Sequence, residues 1–302
     1  MKKYTVLLLL VLTYSLSFSQ YNWDFGIGIG AANYLGDIGG KEKPARPFVW
    51  DIKLSQTRWD ITGGFARYRF HDNFAAHVGL NIAEIRGADS LSTNPERVGR
   101  NLDFRNRIIE LAGRIEWYFY SIADVGGTGM YQLDFRSYVF AGVGGIYHNP
   151  MGYLNGWVPL RPLKTEGQDK EYSKFALSIP VGVGLFYTYK RNHRFGWEFG
   201  WRWTNTDYLD DISGTYPDPS ELESDLARQM SNKNKPGLPT DIPSQNYGTK
   251  GSPRGDPTDR DSYFITSFTY SYVMRGKGKF YRKRYGYVYG GKRRSRRTRA
   301  KF

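Results

Sequence analysis

The chain alternates between two residue classes over long stretches. In "NWDFGIGIGAANY", Trp23, Phe25, Ile27 and Ile29 fall on one face, with Asp24, Gly26, Gly28 and Gly30 on the other. "NFAAHVGLNI" sets Phe74, Ala76, Val78, Leu80 and Ile82 against Ala75, His77, Gly79 and Asn81. "RNRIIELAGRIEWYFY" sets Ile109, Leu111, Ile115, Trp117 and Phe119 against Glu110, Arg114 and Glu116. A period of two is the signature of strands with one apolar face. Eight such segments are predicted, at about 22–35, 56–70, 74–87, 105–120, 136–148, 175–190, 194–210 and 262–274. The fifth, "RSYVFAGVGGIYH", is apolar on nearly both faces and by itself suits a buried strand.

The connections sharpen this picture. "HDN" joins the second and third strands, little more than "RNH" the sixth and seventh, and "SIADVGGTGMYQLD" the fourth and fifth. The other four, at residues 36–55, 88–104, 149–174 and 211–261, are longer, so long and short alternate. That is the plan of an outer-membrane barrel with short periplasmic turns and long outer loops. A soluble sandwich gives no reason for the alternation, and without helices to cover its edges it leaves them open. The predicted fold is therefore all-β: an eight-stranded antiparallel transmembrane outer-membrane barrel, whose even strand number returns both termini to the periplasm.

An eight-stranded barrel has room inside only for side chains. Glu110, Arg114 and Glu116 on one strand, and Glu198 and Arg202 on another, are expected to form a salt-bridged lumen filling, because an unpaired buried charge is very costly. Acid–base catalysis by the same carboxylates is the weaker reading. "GWEFGWRWTNTDYLDDISGTY" places Trp197, Phe199, Trp201 and Trp203 toward lipid, with Trp203 in the outer aromatic girdle. The aspartates that follow, Asp207, Asp210 and Asp211, could gather around calcium, but their spacing matches no calcium loop and they read as a solvated strand end. His71, His77, His148 and His193 lack metal-ligand spacing. "GIGIGA" opens no helix, so its glycines read as small lumen-facing residues and not as a phosphate loop. No catalytic, cofactor or metal site is expected.

Composition adds three points. Aromatics make up 17% of the 302 residues and glycine 35 of them, a mixture suited to strands and turns. A mean hydropathy of −0.58 excludes a bundle of membrane helices. The absence of cysteine excludes disulfides, thiol catalysis and a lipoprotein anchor. Residues 1–19, with Lys2 and Lys3, an apolar run from Val6 to Leu12 and small Ser17 and Ser19, read as a signal peptide cleaved before Gln20. The barrel is assigned to 20–274 and a basic periplasmic tail to 275–302.

The tail carries thirteen Lys or Arg and no acid, which accounts for all but one unit of the net charge of +14. Arg282, Lys283, Arg284, Lys292, Arg293, Arg294, Arg296, Arg297 and Arg299 are its candidate partner-binding residues. Basic runs interleaved with tyrosine suit nucleic acid, but export argues against that ligand. An acidic periplasmic protein surface and anionic groups of the inner leaflet are the alternatives, beside a merely solvated tail. The polar insert 211–261 holds a short helical stretch in "PDPSELESDLARQM" and reads as a partner-binding loop, a lid or a disordered segment.

"TNTDYLDDISGTY", "ANYLGDIGG" at 32–40 and "NLDFRNRIIELAGRIEWYFY" at 101–120 resemble the PorG-like outer-membrane barrels of the Bacteroidetes type IX secretion system, and the signal ending "SFSQ" looks typical of that phylum. The likeness runs in order from Trp23 to Met274, and Asp207, Tyr208, Leu209, Asp210 and Asp211 are its most specific part. It implies a non-enzymatic component of protein export and, in gliding species, motility. Its implied partners are outer-membrane lipid, a periplasmic ring formed by a lipoprotein and its partner, and other outer-membrane secretion components. The basic tail departs from the shortest relatives. An outer-membrane lipid-binding or lipid-modifying barrel and a small porin-like barrel remain the rival functions.

Overall fold

In the computed structural model, residues 23–38, 57–92, 95–123, 133–190, 192–234 and 248–274 are described. The expected signal peptide and basic tail lie outside them. Eight long antiparallel strands carry the fold: β1 (Trp23–Leu35), β2 (Arg58–His71), β3 (Phe74–Ala88), β4 (Asp103–Ala123), β5 (Leu133–Tyr147), β8 (Phe175–Tyr189), β9 (His193–Thr204) and β10 (Ser262–Met274). Two three-residue strands, β6 (Met151–Tyr153) and β7 (Trp157–Pro159), lie between β5 and β8. The sheet runs β3-β2-β1-β10-β9-β8-β5-β4, and β3 pairs with β4 to close the ring. Closure removes the free edges that would template aggregation.

Two expectations need correction. The described strands number ten rather than eight, because "MGYLNGWVP" forms a small hairpin beside the ring, attached where Met151 meets Arg105 of β4. Asn155 takes the left-handed conformation its turn requires, with φ 54°. The seventh long strand stops at Thr204 instead of reaching 210. There the Thr204 hydroxyl donates to the carbonyls of Thr206 and Asp261, and Asn205 turns back to pair with Leu177, so the chain leaves the ladder.

The outer surface explains the apolar faces of the strands. Ile27, Val78, Leu111, Val143, Leu177 and Phe268 stand exposed around the ring, Val143 at 69%. Near the short turns the exposed residues become aromatic: Trp23, Phe74, Trp117, Tyr189, Phe195 and Tyr272. Trp203 and Phe175 stand exposed at the other end. An apolar band bordered by aromatics suits a bilayer and its interfaces.

One end of the barrel carries both strand termini and the short turns; it is called here the turn end, and the opposite one the loop end. Gly63 of β2 has φ 113° where the register with β1 shifts, and a Cβ there would sit 1.8 Å from the Leu80 carbonyl oxygen. Only glycine fits such a bulge. At the loop end, helices α1 (Pro95–Arg100) and α2 (Asp225–Ser231) and the segments around 205–216 and 248–261 gather over the opening. Ser224 caps α2 by accepting from the Ala227 amide.

Candidate functional site

The interior divides into a charged half toward the turn end and an apolar half beneath the loops. In the charged half, Arg67 pairs with Asp24 at 3.1 Å, Glu116 at 2.7 Å and Glu198 at 3.4 Å. Arg114 pairs with Glu198 at 2.6 Å and Glu116 at 3.2 Å, and Arg194 with Asp24 at 2.5 Å. Three carboxylates therefore meet three guanidiniums. Tyr118 donates to Glu116 at 3.0 Å, Tyr138 donates to Glu198, and Ser271 donates to Asp24 at 3.2 Å. Arg67 also lies against the rings of Phe65, Tyr138 and Phe186, and Arg114 lies 4.1 Å from the Phe140 ring centre. Such a network is tolerable inside a barrel only because its charges balance and most of its polar atoms find partners.

A second knot lies nearer the loops. Glu110 accepts from Arg202 at 3.2 Å, Asn81 at 2.9 Å, Ser178 at 2.7 Å and Tyr263 at 3.3 Å. All five residues read from the sequence as a lumen network thus sit inside the barrel and are ion-paired, in two groups: Glu110 with Arg202, and Arg114 with Glu116 and Glu198. Three more residues, Asp24, Arg67 and Arg194, belong to the network. Asp24 lies on the polar face of its strand by the same two-residue count, so its signal was present.

Beside this knot the lumen becomes hydrophobic. Tyr34, Ile85, Phe104, Ile108, Ile146 and Ile265 pack together with Leu209 and Ile212 of the overlying segment. This accounts for the two apolar faces of β5. Tyr138 and Phe140 join Tyr118 and Phe186 in one internal cluster, while Ile146 joins the apolar cluster under the loops.

The Asp-Tyr-Leu-Asp-Asp element is where the structure departs most from the reading of a solvated strand end. Leu209, Asp210 and Asp211 are buried, and the segment lies across the loop end as a cap. Asp210 accepts from the amides of Ile38 and Ile212 at 3.2 and 3.0 Å. Asp261 accepts from Tyr34 at 2.5 Å and from the Leu209 amide at 2.8 Å. Asp211, with φ 71°, accepts from Thr165 at 2.5 Å and Tyr172 at 2.7 Å and faces Arg254 at 3.6 Å. Tyr208 stacks on Tyr172, ring centres 4.6 Å apart. The motif is acidic because its carboxyls bind the amides and hydroxyls of segments that must meet over an apolar floor.

Two arginines tie the cap down. Arg100 grips Asp89 with two bonds, Nε to Oδ2 at 2.7 Å and Nη2 to Oδ1 at 2.9 Å, and donates to the carbonyls of Arg254 and Asp37. Arg254 donates to Glu166 at 3.0 Å and to the Asp211 carbonyl at 2.6 Å. Burial alone would lower the Arg100 pKa, but the Asp89 charge holds it above the usual arginine value. Burial pushes Asp211 up to about 6 despite Arg254, Thr165 and Tyr172, and pushes Asp207 up to about 7. Burial, then the charge of Asp37, raises Asp210 well above the carboxylate range. The long insert 211–261 is thus a folded part of the cap over residues 211–234 and 248–261. No sequence signal pairs Asp89, Glu166 or Asp261 with these partners, because each contact spans distant loops.

Residues 2–234 match the family described as a domain of unknown function, DUF6089. The chain belongs to the DUF6089 family. No curated protein matches it by sequence. Among solved structures, it is similar to Ail, the attachment invasion locus protein of Yersinia pestis, at 9% identity over 84% of this chain and 99% of that one, with a TM-score of 0.38. It is also similar to the outer membrane protein OprG of Pseudomonas aeruginosa, at 10% identity over 85% and 99%, TM-score 0.37. A third is the outer membrane protein AlkL, at 13% identity over 87% and 94%, TM-score 0.31. At this level the likeness concerns the fold alone.

In this DUF6089 chain, one cluster among the described residues has donors close enough for a metal ion. His77, Glu116 and Glu198 bring ligand atoms within 4.8 Å of one another. The donors do not fit a cation. Both carboxylates are already neutralised by Arg67 and Arg114, and an ion there would lie beside two guanidiniums. His77 stacks on Phe65 at 4.8 Å and fills space. His71 ends β2, His148 is buried just beyond β5 against Tyr172, and His193 begins β9 beside Tyr270, so the histidines stay apart.

Proposed function

We propose that the chain is a non-enzymatic outer-membrane component of the type IX protein secretion machinery, contacting its periplasmic ring. In this reading the turn end and both termini face the periplasm, and the capped loop end faces outward. The observation that carries it is the filled barrel: ion-paired side chains cross one half of the lumen, an apolar cluster fills the other, and a cap covers the loop end. A barrel closed in this way serves as a membrane-embedded scaffold rather than a conduit. The resemblance carried by Asp207–Asp211 and by residues 101–120 supports the assignment to secretion, and the lipid-facing apolar band supports the membrane.

Affinity purification of the native complex tests the role, using the full-length chain and a version ending at Met274. Recovery of ring components by the full chain and their loss from the shortened one is the expected result. Recovery by neither would refute the assembly role, and equal recovery by both would remove the tail from it. Conductance in planar bilayers separates the porin-like rival, since a filled lumen predicts no steady ion current. Lipid A and phospholipid profiles after gene deletion would expose a lipid-modifying activity.

A further inference from the structure

A cavity of about 480 Å³ opens at the loop end, beside the barrel mouth and at the edge of the cap. Its volume lies within the range of small-molecule sites. Four segments form it: the end of β3 and the turn after it, the start of β4 with Asn101 and Asp103, the β6–β7 hairpin with Tyr153, and the end of α2 with Gln229, Asn232 and Lys233. We propose that this cavity is a binding site for a neutral saccharide.

The lining chemistry selects that class. The Gln229 side-chain amide offers donors and an acceptor, the combination that matches adjacent sugar hydroxyls. Asn101 and Asn232 each spend one N–H on a carbonyl, of Lys233 and of Gly248, and Asn232 accepts from the Asn234 amide, which leaves each a second N–H and an open lone pair. Asp103 and Lys233 form an ion pair with each other, so the lining carries no net charge that would select an ionic ligand. Tyr153 is 52% exposed and provides an aromatic face for the apolar C–H edge of a sugar ring. Gln229 and Asn232 are exposed, so a ligand reaches them without disturbing the core.

The walls are also fixed in place. The Asp103 carboxylate accepts from the Tyr153 amide at 3.2 Å, Lys233 donates to the Tyr153 carbonyl at 2.8 Å, and Asn101 donates to the Lys233 carbonyl at 3.3 Å. Behind Tyr153, the Trp157 ring packs edge-on at 5.5 Å and carries the Arg105 guanidinium 4.3 Å from its centre. Asn101 holds φ 53°, the left-handed conformation that ends α1, with its amide donating to the Arg97 carbonyl at 3.0 Å. Rigid walls lower the ordering cost that weak sugar contacts must otherwise overcome.

The test is isothermal titration of the full-length protein, folded in a detergent without sugar groups. The probes are maltose, lactose, N,N′-diacetylchitobiose and rough lipopolysaccharide. At least one of the disaccharides is expected to bind at one site per chain, with Tyr153→Ala weakening it about tenfold and Gln229→Ala or Asn232→Ala a few-fold. Lys190→Gln, at the turn end, should leave binding unchanged. These are exposed positions, and unchanged heat-modifiable migration on gels verifies folding of each variant. Binding of any free disaccharide supports the site, whereas binding of lipopolysaccharide alone, whose inner sugars carry carboxylates and phosphates, overturns a neutral-saccharide site. Absence of binding by all four probes, or binding that Tyr153→Ala and Gln229→Ala leave intact, overturns it. The result is independent of membership in a secretion complex.

Discussion

Arg100→Met isolates what holds the cap on the barrel. The guanidinium is buried, makes two bonds to the fully buried Asp89 and donates to two backbone carbonyls, those of Arg254 and Asp37. Methionine keeps much of the aliphatic stem but takes both guanidinium bonds away from the Asp89 carboxylate, which still accepts from the Leu102 amide at 3.1 Å. Removing one partner of a buried pair costs ~3–5 kcal/mol. Each carbonyl that loses its donor without gaining water adds ~1–3 kcal/mol. A loss of about 4 kcal/mol is thus a modest expectation for the cap, equivalent to a rise of roughly three orders of magnitude in its open population. The barrel strands do not share that loss, because their ladders and the Arg67–Glu116 network lie elsewhere. Hydrogen exchange read by mass spectrometry separates the two. Peptides from 205–216 and 248–261 should exchange far faster in Arg100→Met, and those from β4 and β9 at the parental rate. In Asp89→Leu/Arg100→Met most of the protection should return, since no buried charge is stranded. Unchanged exchange in the single variant, or equal acceleration in cap and strands, would refute the role given to this pair.

The cap should also respond to pH. Asp211 has its folded pKa raised to about 6 from 3.8, so its contribution is fully present below 3.8 and is lost as pH rises through 6; Asp207 extends the window to about 7. For the buried Asp211 the loss approaches ~3 kcal/mol above neutrality, and protease nicking of the loop end should increase from pH 5 to pH 8. Asp211→Asn should flatten that profile, whereas a cap that is better protected at pH 8 would contradict the assignment. Gly63→Ala forces a Cβ against the Leu80 carbonyl at an unfavourable φ, and should cost roughly 1–3 kcal/mol or more in the denaturant midpoint of the folded barrel; an unchanged midpoint would rule out the bulge as a constraint. Val143→Arg, on the apolar band, should lower folding stability in lipid vesicles by about 2–4 kcal/mol; tolerance there would argue that this face does not meet hydrocarbon.

Much of the barrel was legible along the chain because its rule is local. A strand residue points in or out according to its parity, so Ile27, Leu111 and Trp203 could be placed outside and Glu110, Arg114 and Glu198 inside without any partner being known. The same parity marked Asp24, which needed only Arg67 and Arg194 to be recognised as a member of the charged network. Loop lengths likewise fixed which ends the strands share. The two apolar faces of β5 have a tertiary cause: Tyr138, Phe140 and Ile146 pack inside the barrel.

The cap obeys no such period. Asp210 and Asp211 carry the same charge in sequence whether they face water or close a barrel, and what decides is where Ile38, Thr165, Tyr172 and Arg254 come to rest. Those partners lie 39 to 172 residues away along the chain. The saccharide site has the same origin, since Asn101, Tyr153 and Gln229 share a cavity only after three loops meet. Sequence by itself determined the strands, their faces and the balanced charges of the lumen, because backbone geometry repeats every two residues. Tertiary structure alone decided that the acidic element turns inward, because the energy that holds it comes from hydrogen bonds and ion pairs between loops with no common period.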